Sequence, residues 1–534
     1  MVYAIDFGTS NTVVARWNEA TQQPETLSLG DLSLKLSQNP PLIPSLLYVQ
    51  NAAQGQAIAG QMVRDRGLDV TSDPRFFRNF KRGIGAEVRG FLPELDGVTV
   101  GFEQAGQWFL KQVIESLQKN DPSLNSLVFT VPVDSFEAYR NWLSQVCQSL
   151  QVEQVRMLDE PTAAALGYGL TDQQPLLVVD FGGGTLDLSL VQLNQSPKSE
   201  NQSGSRPLGF LLKWGKQTLE TSGQRPRLAR VLAKAGQNLG GADIDNWLMD
   251  HFTEAQGLPA SALTLRLVER LKIQLSEQTE ATEVYFNDET LESYELQMTR
   301  DRFNQLLQDH QFFERLDESL LQVLRQARRQ GIEPGDVGAV LLVGGTAQIP
   351  AVRNWVVQHF PEEKIRSERP FEAIAQGALQ ISQGIEIKDF LYHSYGIRYW
   401  DRRNNAHGWH PIIREGQPYP MAEPVELLLG ASLDSQPSIE LVIGELGAET
   451  GGTEVYFEGD RLITRSTGGK VTVKPLNDSE SARSIAKLDP PGYPGSDRIR
   501  ASFLVDGDRF LRITVEDLLT ARTLLDNQPV VRLS

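Results

Sequence analysis

Ala4-Ile5-Asp6-Phe7-Gly8-Thr9-Ser10-Asn11 and Val179-Asp180-Phe181-Gly182-Gly183-Gly184-Thr185-Leu186-Asp187 share one design: Asp-Phe-Gly between two apolar runs, with a hydroxyl close behind. The first copy leads into Thr12-Val13-Val14-Ala15-Arg16-Trp17. The second lies between Leu176-Leu177-Val178-Val179 and Leu188-Ser189-Leu190-Val191. Each reads as a β-hairpin with a glycine-rich turn and an aspartate just ahead of it. Glycines let backbone N–H groups converge on phosphate oxygens, and a pair of aspartates can hold hydrated Mg²⁺. One copy alone would pass as an ordinary hairpin. Two copies in the same order predict two similar lobes around one nucleotide.

Other phosphate motifs fit less well. A P-loop needs a lysine and then a helix, and a dinucleotide fingerprint also runs into a helix. Here a strand follows both times. Val340-Leu341-Leu342-Val343-Gly344-Gly345-Thr346-Ala347-Gln348-Ile349-Pro350 adds a third glycine turn, read as strand, turn and helix. The bare backbone at Gly344 and Gly345 would admit a flat base or ribose. Over 260–280, Leu263, Leu267, Leu271 and Leu275 predict the buried stripe of a helix, with Glu269, Lys272 and Ser276 opposite. That polar face is either solvated, with an i,i+3 ion pair, or lines a cleft. In Asp159-Glu160-Pro161-Thr162, Pro161 as first helical residue would place Glu160 at the N-cap, an unusual residue there.

The chain has 534 residues, too many for one core, and its composition is that of a soluble protein. A net charge of −17 argues against nucleic-acid or anionic-membrane partners. No apolar run reaches the length of a membrane span, and the N-terminus enters the first strand without a signal peptide. Cys147 is the sole cysteine and sits in an apolar helical pattern, so packing is expected there and the cytoplasm as location. Residues 1–385 alternate strands and amphipathic helices; 193–226 is a polar excursion, read as a tolerated surface insertion. Residues 386–394 form a short, partly apolar linker. Residues 395–534 show alternating strand runs parted by Gly, Pro and Asp, a β-sandwich pattern.

The two Asp-Phe-Gly stretches, Asp159-Glu160-Pro161-Thr162-Ala163-Ala164-Ala165, Val343-Gly344-Gly345-Thr346 and Phe80-Lys81-Arg82-Gly83-Ile84-Gly85 stand in the order and spacing of one family. Together they resemble the heat-shock protein 70 (DnaK-type) chaperones. The resemblance implies an α/β fold: an actin-like, two-lobed ATPase domain, a duplicated ribonuclease H-like fold, followed by a β-sandwich substrate-binding domain. It implies ATP or ADP with Mg²⁺, and K⁺ as a further candidate cation. Asp6 and Asp180 would hold the metal through water, with Asp187 near the cations. Gly8, Thr9, Ser10, Asn11, Gly182, Gly183, Gly184 and Thr185 would cradle phosphates. Lys81 would stand beside the γ-phosphate, and Glu160 would orient water and the metal shell. Glu269, Lys272 and Ser276, with Gly344, Gly345, Thr346 and Gln348, would take the adenosine. Pro132, Arg140 and Arg156 would couple nucleotide state to the other domain or to J-domain partners.

Departures from the family pattern are visible too. Gln348 replaces an arginine that stacks on adenine, Phe371 replaces an aspartate, and Ser394 stands where an aspartate follows the linker. The last predicted strand ends near Ser534, which leaves no room for a helical lid, so loose peptide retention is expected. Trp400, Leu429 and Ile439 lie roughly where the family lines its peptide groove, although sandwich core is the commoner fate of such residues. The implied partners are extended apolar polypeptides, a J-domain co-chaperone and a nucleotide-exchange factor, with a monomer expected. A metabolite kinase, an actin-type filament protein and a non-hydrolysing ATP scaffold are the competing readings of the same fold.

Overall fold

The computed structural model describes the chain except residues 1, 35–38, 71, 86, 89–91, 125, 133–135, 151, 153, 171–173, 194–211, 214–228, 289, 381–390, 392–393, 402–405, 415–416, 418, 422, 447–452, 459–460, 467–472, 479–483, 508 and 534. It divides into two compact units, Met1–Ile387 with Thr453–Arg465, and Lys388–Gly452 with Ser466–Ser534.

The first unit repeats one sheet plan. In the first lobe β1 (Val2–Phe7), β2 (Asn11–Asn18), β3 (Gln23–Thr26), β4 (Ser126–Val131) and β5 (Gln154–Asp159) lie in the order β5-β4-β1-β2-β3. In the second, β6 (Leu176–Phe181), β7 (Leu186–Leu193), β8 (Ala229–Gln237), β9 (Ala339–Val343) and β10 (Ile365–Arg366) lie in the order β8-β7-β6-β9-β10. Each lobe starts with an antiparallel hairpin, β1–β2 or β6–β7, and adds a parallel neighbour to its first strand. Both Asp-Phe-Gly stretches are therefore hairpins at equivalent places. The first strands are covered on both faces, as central strands of such sheets are. Of the 193–226 excursion only Leu212–Lys213 is described beyond its first residue, Leu193; the pair runs antiparallel to Gln154–Val155 at the free edge of β5.

Five helices matter for the site: α1 (Glu160–Gly167), α2 (Gly241–Gln256), α3 (Ala262–Glu277), α4 (Phe312–Arg329) and α5 (Ala373–Leu379). α1 and α5 cross at van der Waals distance because the contact positions are glycines. A Cβ on Gly167 would lie 1.9 Å from the Ala373 carbonyl oxygen, and one on Gly377 1.9 Å from that of Ala163. α1 does not begin as its sequence suggests. Asp159 is the N-cap, accepting the Thr162 N–H at 2.8 Å, and Glu160 is the first helical residue. Proline is tolerated one place further in, so a favoured capping residue lies just upstream and leaves the Glu160 side chain to other work.

The stripe on α3 also differs from the four-residue pattern. Leu267, Leu271 and Leu275 are buried with Thr264 and Val268, whereas Leu263 is 49% exposed. Each four-residue step overshoots a full turn by about 40°, so the first leucine has rotated out of the face occupied by the last.

The second unit is antiparallel throughout its described pairings. One sheet orders Ala406–Ile413, Ser394–Asp401, Ile443–Leu446 and Val473–Pro475; another orders Val425–Gly430, Asp497–Val505, Phe510–Asp517 and Arg522–Arg532. Alternate residues Ala501, Phe503 and Val505 face Leu511, Ile513 and Val515 in one core, which also takes Tyr395, Leu441 and Ile443. Of the linker, Leu391 is described: it is buried in this core, and its N–H donates to the Gln417 carbonyl at 3.0 Å. Lys470 and its neighbours to 472, read as part of a strand, lie outside the described residues.

Candidate active site

Alternation along each first strand separates the tasks of Asp and Phe. Phe7 points into an aromatic cluster, 6.0 Å from Phe80, 5.7 Å from Phe109 and 6.0 Å from Trp142. Phe181 stacks on Phe312 of α4 at 5.7 Å. Asp6 and Asp180 take the other face of their strands. Thr130 donates to Asp6 Oδ1 at 2.7 Å. Lys81, in the tight turn Phe80–Gly83, reaches Glu160 Oε1 at 2.8 Å, with both side chains about nine-tenths buried. Its turn is braced by Tyr139, whose hydroxyl donates to the Lys81 carbonyl at 2.9 Å.

The electrostatics of this cluster are under-compensated. Burial first, then the Glu160 charge, push the Asp6 carboxyl up to about 6 although Lys81 and the Thr130 hydroxyl act the other way. Burial, then Glu160, Asp187 and Asp6, raise Asp180 well above the usual carboxylate range. Burial acts to lower Lys81, but the charges of Glu160 and Asp6 and the hydrogen bond to Glu160 outweigh it and hold the ammonium protonated. Carboxylates strained in this way suit a cation. Among the described residues no three His, Cys, Asp or Glu side chains converge for direct ligation. Carboxylate oxygens are of the donor type that Mg²⁺ takes, commonly through its own waters.

The glycine loops interlock. A Cβ on Gly183 would strike Ser10 Oγ at 1.9 Å, and one on Gly184 would meet Thr9 at 2.5 Å. Carbonyl oxygens of the second loop are turned to donors outside it: Gly182 accepts from Gly241 N–H at 3.1 Å and Thr346 Oγ1 at 2.8 Å, Gly183 from Ala242 N–H at 2.9 Å, and Gly184 from Arg82. A loop held this way can turn remaining N–H groups of its other edge towards an anion. In the first loop, Ser45 Oγ donates to the Gly8 carbonyl at 2.7 Å and Ser45 N–H to the Ser10 carbonyl at 2.8 Å, where Asn11 opens β2. Thr185 closes the second turn by accepting Gly182 N–H at 3.1 Å.

On α3, Lys272 pairs with Asp245 at 2.7 Å and donates to the Gly241 carbonyl at 3.0 Å. Glu269 pairs with Arg64 of the first lobe at 2.8 Å, and Arg266 with Asp69 at 2.9 Å. The i,i+3 pair that the sequence allows is thus replaced by partners from other elements. Ser276 Oγ donates back to the Lys272 carbonyl at 3.2 Å. Gly344 adopts φ +86°, with its missing Cβ 2.4 Å from the Phe181 carbonyl oxygen, and Gly345 and Gln348 are exposed beyond it. Phe371 lies against Gly345, 3.1 Å from where a Cβ would be.

Pro132 lines a small cavity with Glu160, Pro161, Asp180, Asp187, Ser189 and Lys234, so this residue joins the cluster. Arg156 stands apart on β5, 3% exposed, with Nε and one terminal nitrogen lacking a hydrogen-bond partner; burial lowers its pKa. The Arg140 side chain lies outside the described residues. Trp400, Leu429 and Ile439 are not gathered together. They sit on three sheets: Trp400 42% exposed, Leu429 partly buried against the core, Ile439 within it. Several residues of the site escaped the sequence reading. Gly240 and Gly241 pack on the Gly183 loop, and Arg82 pairs with Asp243 at 2.8 Å. The signal was present in Leu239-Gly240-Gly241-Ala242-Asp243, a glycine pair opening an amphipathic helix.

Two lobes of one topology, with paired aspartates on matching hairpins, define the actin-like class of ATP-binding folds. Here a β-sandwich unit follows. The chain belongs to the Hsp70 protein family, whose family model matches residues 107–199 and 228–399. The break in that match falls within the polar excursion and its flank. The chain is 23% identical over 547 residues to the chaperone protein DnaK of Thermosipho melanesiensis, covering 98% of this chain and 79% of the relative. It is 25% identical over 511 residues to the chaperone protein dnaK1 of Synechocystis, covering 88% and 64%.

Proposed function

We propose that this protein is an ATP-dependent chaperone: ATP binding and hydrolysis in residues 1–385 change the affinity of the β-sandwich, residues 395–534, for extended apolar polypeptide. The observation that carries the reading is the buried Lys81–Glu160 pair beside two hairpin aspartates whose charges lack compensation. Lys81 neutralises charge developing on the terminal phosphate, and Glu160 holds the attacking water in place. Asp6 and Asp180, with Asp187 beside them, would hold Mg²⁺, which when bound would neutralise phosphate charge. Thr9, Ser10, Gly183, Gly184 and Thr185 embrace the phosphates. Lys272, Ser276, Gly344 and Gly345 flank the adenosine. Pro132, in the same cavity as Glu160, passes the nucleotide state outward. A J-domain protein and a nucleotide-exchange factor are proposed partners, and the cytoplasm is the proposed location.

The test is ATP turnover with and without an unfolded apolar peptide, for the native chain and Lys81→Ala. Slow turnover, altered by peptide and lost in the variant, supports the reading. Turnover that requires a sugar acceptor would turn it into a kinase, and binding without turnover into a scaffold.

A further inference from the structure

Lys234 occupies an unexpected place. Leu188 and Leu190 of β7 face Ala235 and Ala233 of β8, and all four belong to the core between sheet and outer helices. Side chains alternate along a strand, so Ser189 and its partner Lys234 take the opposite face. Asp187 lies two residues from Ser189 and is in register with Asp180, which puts both carboxylates on that same face. The cavity there is lined by Lys234 together with Asp180, Asp187, Glu160 and Pro132. The lysine backbone is clamped from behind. Its N–H donates to Gln326 Oε1 at 2.9 Å, and its carbonyl accepts from Gln326 Nε2 at 2.9 Å, fixing this edge strand to α4.

We infer that Lys234 is a positioning residue of the nucleotide site: its ammonium supplies, from within the chain, the monovalent positive charge that the Asp180–Asp187 carboxylates would otherwise take from a bound K⁺. This rests on the proposed ATPase reading and deepens it. Glu160, Asp180 and Asp187 line one cavity with Lys234, and Lys81 pairs with Glu160 beside Asp6, so the formal charge of the four carboxylates and two lysines matches one divalent cation. The chain would then need Mg²⁺ for turnover but no alkali cation, and the pair Asp180–Asp187 would keep its geometry in any monovalent salt.

The experiment compares ATP turnover of the full chain with Mg²⁺ in KCl, NaCl and choline chloride at equal ionic strength. The native protein should keep its rate within about twofold across the three salts. Lys234→Met should lose about tenfold or more in choline and recover most of it in KCl, while Lys234→Arg, which keeps a fixed charge, should stay salt-independent. A native rate that collapses without K⁺, or a Lys234→Met protein indifferent to the salt, overturns the inference. Thermal midpoints of the nucleotide-free proteins give a second readout: K⁺ over choline should raise that of Lys234→Met and not that of the native chain. If no salt yields turnover or nucleotide binding, the ATPase reading fails, and the midpoints still decide on Lys234: equal K⁺ responses in both proteins overturn it. If Lys234→Met does not fold, the salt response of the native chain decides alone.

Discussion

The Arg498–Asp517 pair of the second unit and the Lys81–Glu160 pair of the first are both buried, yet their surroundings are opposite. Arg498 grips Asp517 with two hydrogen bonds, at 2.9 and 2.7 Å, and the Leu519 and Thr520 N–H groups complete the carboxylate. The arginine, helped by those N–H groups, outweighs burial and holds the Asp517 carboxyl down at about 2. Lys81 meets Glu160 through one hydrogen bond and faces two further carboxylates that burial drives the other way. A satisfied pair fixes a fold; an incomplete one awaits something that is not protein.

That contrast can be broken at either end. The largest effect is expected in the cleft: Lys81→Ala should cut ATP turnover by about 10²–10³-fold. A loss of less than tenfold would deprive the cluster of its catalytic meaning. Next comes Arg498→Ala, which leaves a buried carboxylate alone and should cost about 3–5 kcal/mol in unfolding of the second unit, measured by denaturant titration. Basal turnover should not follow it.

Acid probes the same pair more gently. Because the Asp517 pKa is depressed in the folded state, its contribution is complete above about pH 4 and is lost as pH falls towards 2. Unfolding midpoints of native protein should drop through that window more than those of Arg498→Met. The smallest effect has the opposite sign. Asp6 is raised to about 6, so its ionised form disfavours the fold above that pH. Asp6→Asn should raise the thermal midpoint of nucleotide-free protein at pH 7.5 by a few degrees while abolishing turnover. A lowered midpoint would show that Asp6 is structural.

Much of this site was legible because it depends on local backbone chemistry. Asp6-Phe7-Gly8 and Asp180-Phe181-Gly182 announce a hairpin, an aromatic anchor and a polar tip in three residues each. What stayed hidden depends on distance through space. Arg82 and Asp243 are 161 positions apart, and nothing local distinguishes them from surface charges. Lys234 reads as one polar residue in an apolar strand until the register beside Ser189 gives it a face. Glu160 begins its helix instead of capping it, because proline marks the first turn of a helix and not a unique residue within it.

The crossing of α1 and α5 has one more consequence. Gly167 and Gly377 hold the two helices backbone to backbone, with no side chain between them that could give way. Gly167→Ala or Gly377→Ala would therefore have to part the helices, because the atoms in the way are backbone. Glu160 begins one of these two helices, so its distance from Lys81 depends on an uncharged contact further along the same helix.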